Sequence, residues 1–256
     1  MRINRVEGLF FCVADSRTTT QGDKMKRTIQ LAVACVAMLV SATASAGTIT
    51  VEPPGRISPN TWPMNTTEIR WQQVYDDTFF GSTPLTINSI GFRAENAGSI
   101  SYGADFVVKM STTSAEPGSL STTYASNVGT DETSVLSGPI TLTNVVGDFT
   151  ILTFTTPFSY NPSSGNLLIE ISHNRATAGS PLAMDSYVSG AAGLERLGND
   201  RDNTAATGTT YDGGVLVTQF EVGYPAVPEP SSIVLLGIGG IALIGYGWRR
   251  KRQQAA

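Results

Sequence analysis

The sequence predicts an all-β protein, an antiparallel β-sandwich of jelly-roll type set between two targeting segments. Three observations lead there. Between Gly47 and Ala226 no stretch of ten or more residues has the 3.6-residue apolar spacing of a helix. Short alternating runs take its place, separated by Pro- and Gly-rich turns. Ser and Thr supply 45 of the 181 residues from 47 to 227, a composition that favours strands and loops over helices.

Residues 25–46 read as a secretory signal peptide. Met25-Lys26-Arg27 is a basic start, Ile29 to Val40 an apolar run, and Ala44-Ser45-Ala46 a small-residue cleavage site with Ala44 and Ala46 at its key positions. The run is too short to prefer a permanent span. Residues 1–24 fit no part of this pattern, so they read as an extension upstream of a true start at Met25.

The segment 47–226 is the exported domain. Alternating runs stand at Ile69–Gln72, Phe106–Met110, Leu167–Ile171 and Leu216–Val222, with further strands expected at 85–93, 121–127, 133–136, 140–145, 150–155 and 182–188. Gly81-Ser82-Thr83-Pro84, Glu116-Pro117-Gly118, Ser137-Gly138-Pro139 and Asn161-Pro162-Ser163-Ser164-Gly165 mark turns between them. No internal repeat points to a propeller or solenoid.

Charge is segregated along the chain. Residues 1–46 carry six Lys/Arg against three Asp/Glu and residues 228–256 four against one, while 47–227 carry seven against 17. An acidic middle has no basic face to replace phosphate counterions, which excludes nucleic acid as its partner. Both cysteines, Cys12 and Cys35, precede the expected mature start, so the exported domain has neither a disulfide nor a thiolate.

Chemistry is sparse. His173 is the one histidine, and no G-x-S-x-G elbow accompanies it, so the expectation is a solvated loop residue and no enzyme. The carboxylate pairs Asp76-Asp77, Asp131-Glu132 and Asp200/Asp202 read first as solvated loop acids. No cofactor is expected. Asp200, Asp202 and Thr204 have the alternating oxygen spacing of a calcium loop but lack its glycine and its closing glutamate, which leaves calcium as the weak alternative. Trp62 and Tyr75 are the aromatic candidates for a sugar-binding platform, Trp62 because its Pro-rich surroundings favour exposure.

The tail 227–256 is the most specific feature. Ser231 to Trp248 is 18 residues without a charge, about 27 Å as a helix, enough to just span a bilayer. Tyr246 and Trp248 sit where an interfacial aromatic belt would, and Arg249, Arg250, Lys251 and Arg252 should stay cytoplasmic, leaving the middle outside the inner membrane. Pro228-Glu229-Pro230 precedes the run, and two prolines keep that segment extended and open to a protease.

Pro-Glu-Pro, a short apolar helix and a terminal basic cluster, in that order and at the end of the chain, resemble the PEP-CTERM sorting signal. The resemblance implies recognition and cutting of the tail by an exosortase, in bacteria that make exopolysaccharide. Leu120–Thr133 and Gly165–Ile171 are similar to segments that recur in ectodomains carrying such tails, for which no activity follows. The resulting expectation is a structural surface or extracellular-matrix protein associated with extracellular polysaccharide. The alternatives are a carbohydrate-binding module, stabilised or not by calcium, and then a glycoside hydrolase or lyase.

Overall fold

The computed structural model describes residues 5–6, 9–10, 45–52, 55, 57–188, 192–199, 201–225 and 232–254. The chain divides into two compact units, residues 44–226 and the terminal segments 1–43 and 227–256. In the terminal unit, β1 (Arg5–Val6) pairs antiparallel with β2 (Leu9–Phe10). Its helix, α1 (Ser232–Gln254), exposes Ile241, Leu243, Ile244, Tyr246 and Trp248. Among the described residues no helix is long and apolar enough to cross a membrane. The apolar run Ile29–Val40, Ala44 and Pro228-Glu229-Pro230 lie outside the described residues.

The strands of the body begin with β3 (Ser45–Val51), β4 (Ile57–Asn60), β5 (Ile69–Tyr75), β6 (Leu85–Arg93), β7 (Gly98–Tyr102) and β8 (Val107–Thr113). Next come β9 (Thr133–Ser137), β10 (Ile140–Asn144), β11 (Phe149–Tyr160), β12 (Asn166–His173) and β13 (Ala178–Gly179). The last are β14 (Met184–Tyr187), β15 (Leu194–Asn199), β16 (Thr209–Tyr211), β17 (Val215–Leu216) and β18 (Thr218–Tyr224). A six-stranded sheet runs β16-β15-β5-β12-β8-β9 and a four-stranded sheet β11-β6-β18-β3, with three-stranded sheets β10-β7-β13 and β17-β14-β4 beside them. Every pairing is antiparallel. Among the described residues of the body there is no α-helix, only three short 3-10 turns.

The two large sheets meet face to face, as in a sandwich. Ile69, Trp71 and Tyr75 alternate along β5 and turn inward. Trp71 meets Phe92 of β6 edge-on at 6.1 Å, and Tyr75 meets Phe220 of β18 at 5.2 Å. Phe80 closes the cluster against Tyr160 and Phe220. Burying each such ring contributes about 1.5–3 kcal/mol, and edge-on pairing adds roughly 1 kcal/mol.

The structure departs from the sequence reading at one expected strand and at the strands β3, β4, β7, β13, β15 and β16, which lie outside the expected runs. The segment 121–127 is a loop with a 3-10 turn at Tyr124–Asn127 and not a strand. The cause is local: the Asn127 amide accepts from Ser121 N–H at 2.9 Å and donates to Ser121 C=O at 2.9 Å, and the Ser121 hydroxyl accepts from Thr123 N–H. Such side chains offer the backbone an alternative to a sheet ladder. Conversely β15, which carries Glu195 and Arg196, is a strand buried on both faces. Its charges disguise it: Glu195 accepts from Gly118 and Leu120 N–H, and Arg196 donates through Nε to Gly213 C=O while its buried Nη1 has no hydrogen-bond partner.

β6 carries a bulge that reshapes one end of the four-stranded sheet. Ser89 pairs with Thr153 on one side and Glu221 on the other, Ile87 with Phe158 and Val222, and Asn88 pairs with neither neighbour. Leu85 and Ile87 face the core before the bulge, Ile90 and Phe92 after it. A bulge adds one residue and re-aims the side chains around it. At the same end of this sheet Ser45 stands opposite Tyr224, so the chain enters and leaves the body at one place.

Candidate functional site

The face of the six-stranded sheet away from the main core carries the densest polar cluster. Arg70 and Gln72 of β5 lie beside Glu170 of β12, because Gln72 and Glu170 are register partners. Arg70 Nε and Nη2 donate to the two Glu170 carboxylate oxygens at 3.2 and 3.1 Å, and Gln72 Nε2 donates to Oε2 at 2.7 Å. Asn127 Nδ2 donates to Gln72 Oε1 at 3.1 Å, and the Tyr124 hydroxyl donates to Arg70 C=O at 2.6 Å. The Arg70 guanidinium lies 4.5 Å from the Tyr124 ring centroid. Glu170 is 5 % exposed and Gln72 fully buried. The cluster ties together the two segments that the sequence singles out, through Tyr124 and Asn127 of 120–133 and Glu170 of 165–171. It is closed: each carboxylate oxygen has a donor and Glu170 is buried, so it holds the loop to the sheet.

His173 is a correction to the sequence reading. It ends β12 and is fully buried, not solvated. Its ring stacks on Phe106 at 5.8 Å and lies 4.3 Å from Tyr102. Nε2 is 2.8 Å from Pro63 C=O and Nδ1 2.5 Å from Asn174 C=O. Burial pushes its pKa below the usual value, and the two carbonyls oppose that push. Asp105, which accepts from Asn174 N–H at 2.8 Å, is a carboxylate that acts on the ring, and it too opposes the push of burial.

Tyr75 is wholly inside the core, its hydroxyl 2.8 Å from that of Thr218, and has no face for a ligand. Trp62 is half-buried. It lies flat on Gly198, where an added Cβ would come within 2.2 Å of the indole. Arg196 sits 5.0 Å from the Trp62 ring and 4.4 Å from Tyr211, whose ring meets Trp62 edge-on. Both aromatics are thus occupied by an internal cation–π clamp.

Asp202 uses Oδ1 to accept from the Thr204 amide and hydroxyl, which holds its carboxyl below the usual range. Asp200 lies outside the described residues, and among those described no group of His, Cys, Asp or Glu is arranged to hold a metal. Asp76 likewise caps Thr78 N–H, and Asp131 caps Thr112 N–H. One carboxyl pair went unnoticed in the sequence: Glu95 hydrogen-bonds Asp185, which raises the Glu95 pKa. Arg93 pins Asp185 through its Nε. Carboxyls in direct contact leave no room for a sugar, since glycoside cleavage needs them about 5–9.5 Å apart.

The open feature is a groove of about 460 Å³ at the end of the four-stranded sheet where the chain enters and leaves. Thr86 and Asn88 form its floor, Ser159 and Asn161 one wall, Gly223, Tyr224 and Pro225 the other. A smaller depression of about 300 Å³ shares Ser159 and Asn161 and adds Thr112, Thr130, Asp131 and Ser164. The wall is stiff. Asn161 Oδ1 accepts from Ser163 N–H, its Nδ2 donates to Ser164 Oγ, and the Tyr160 hydroxyl donates to Gly165 C=O at 2.8 Å. Gly165 has φ 139°, and a Cβ there would come within 2.6 Å of Thr113 O, so only glycine closes this turn.

Residues 226–252 match the family model of the PEP-CTERM protein-sorting motif. No curated protein matches the chain. The matched span contains Pro228, Glu229, Pro230 and the basic residues through Arg252. The tail therefore carries a PEP-CTERM sorting signal, the mark of an exported protein that is anchored at a membrane and then processed by an exosortase, a membrane protease.

Proposed function

We propose that this chain is a structural protein of the cell surface or extracellular matrix, exported, sorted through its tail and associated with exopolysaccharide. The sorting motif at 226–252 carries the reading. Residues 25–46 act as the signal peptide, residues 231–248 hold the precursor in the inner membrane, and Arg249–Arg252 keep the terminus cytoplasmic. Processing at Pro228-Glu229-Pro230 frees a jelly-roll-like sandwich without catalysis or cofactor. The body supports this role in one respect: Ser45 and Tyr224 are partners on adjacent strands, so signal peptide and tail leave from the same end.

Topology is tested with a reporter active only outside the inner membrane. Fused after Gly223 it should be active, and fused after Arg252 silent. Activity of the second fusion would reverse the orientation.

A carbohydrate-binding role is the second reading, and the groove beside Tyr224 favours it over the aromatic candidates Trp62 and Tyr75. The calcium alternative has only Asp202 among the described residues to recommend it.

A further inference from the structure

The geometry points to the groove around the Asn88 bulge as a binding site for a neutral saccharide chain. This rests on the polysaccharide association proposed above and gives it an address.

The lining chemistry selects the ligand class. No charged residue borders the larger groove. A phosphate, a sulfate or a uronic acid would find no cation there, and a cationic ligand no carboxylate. What the groove does offer is neutral hydrogen-bonding groups beside apolar surface. Among the described residues, the hydroxyls of Thr86, Ser159 and Tyr224 and the amide of Asn88 have no hydrogen-bond partner. In the Glu170 cluster, by contrast, the polar side chains are paired with one another. Four unspent neutral donors and acceptors facing one groove match a ligand with many hydroxyls and no charge. The Tyr224 ring and Pro225 provide apolar surface for the C–H face of a sugar ring.

The backbone gives a second, independent reason. Asn88 is the residue at which both ladders of a central strand slip at once. Thr86, Asn88 and Ser89 thereby leave the core face on one side of β6, where strict alternation would have turned Ser89 inward. Such a bulge costs ladder hydrogen bonds in the middle of a sheet, and bulges are concentrated where a side chain must be re-aimed. Here Asn88, the residue that pairs with neither ladder, floors the groove. A second depression, which includes the carboxylate of Asp131, shares Ser159 and Asn161 with the groove at its edge.

The test titrates the full chain, in a zwitterionic detergent that contains no sugar, with neutral glucan hexasaccharides of β-1,3, β-1,4 and α-1,4 linkage. A polyuronate hexamer serves as the charged control. Binding is read by saturation-transfer NMR and calorimetry. At least one neutral hexasaccharide should bind and the polyuronate should not. Tyr224→Ala should weaken binding by about tenfold, as loss of an aromatic anchor does, and Asn88→Ala by less. Ser159→Arg, which fills the groove from an exposed position, should abolish it. Neutral binding that survives all three substitutions overturns the groove while leaving polysaccharide association standing. A preference for the polyuronate overturns the ligand class. Binding of no saccharide at all overturns both the groove and the association.

Discussion

Two polar regions lie on the outer faces of the two large sheets, and their hydrogen bonds are spent differently. Around Glu170 the charges of β5 and β12 are buried under the 120–133 loop, and both carboxylate oxygens have donors. Around Asn88 the groups are half-exposed and have no protein partner. Judged by charge alone the first region would look functional, and the second, made of Thr, Asn, Ser and Tyr, would not. Burial with complete pairing marks a polar cluster that holds the fold. Exposure with unspent capacity in a concave surface marks one that can hold something else.

The largest expected effect comes from breaking the closed region. Arg70→Met leaves Glu170 buried with only Gln72 as donor, and removing one partner of such a pair costs about 3–5 kcal/mol. The midpoint of denaturant unfolding should fall accordingly at an unchanged slope. A shift within the range of ordinary surface substitutions would mean that the cluster is not closed.

His173 sharpens the contrast, since it is buried yet has one ring proton for two carbonyls. Its folded pKa lies below the unfolded value of about 6.5, so the unfolded chain binds the proton more readily. Its contribution to stability is complete above about pH 6.5 and is lost as pH falls through the folded value. The unfolding midpoint should therefore drop on mild acidification, and His173→Gln should flatten that dependence. A midpoint that rises instead would show that both carbonyls bind an imidazolium.

Tyr124→Phe removes the hydrogen bond to Arg70 C=O while keeping the ring over the guanidinium, and should cost about 1 kcal/mol in the same assay. Asn88→Ala should be smallest, within about 0.5 kcal/mol, because the amide holds nothing in the fold. A larger loss would move Asn88 to the structural class.

Much of the body was legible in the sequence. The alternating runs at β5, β8, β12 and β18 are strands, and the turn at Asn161–Gly165 closes where its residues say. Even the bulge is written there, since Leu85, Ile87, Ile90 and Phe92 change parity between Ile87 and Ile90. β15 is not legible because Glu195 and Arg196 break its apolar pattern, and their partners, Gly118, Leu120 and Gly213, come from distant loops. Tyr75 could not be placed from its neighbours, because its burial depends on Phe220 and Thr218, over 140 residues away. The groove has no sequence signature at all. It arises where β6, β11 and β18 meet, and nothing in Thr86, Asn88, Ser159 or Tyr224 alone announces it. The sorting motif of the tail, by contrast, was readable, since its signal is local and contiguous.

That tail bears the central claim. In a host that contains the exosortase, intact-mass measurement of the mature protein should show residues 231–256 absent from wild type and retained in the membrane fraction for Glu229→Ala. If wild type and Glu229→Ala both keep those residues in that host, the tail is an anchor alone and the account of sorting is wrong.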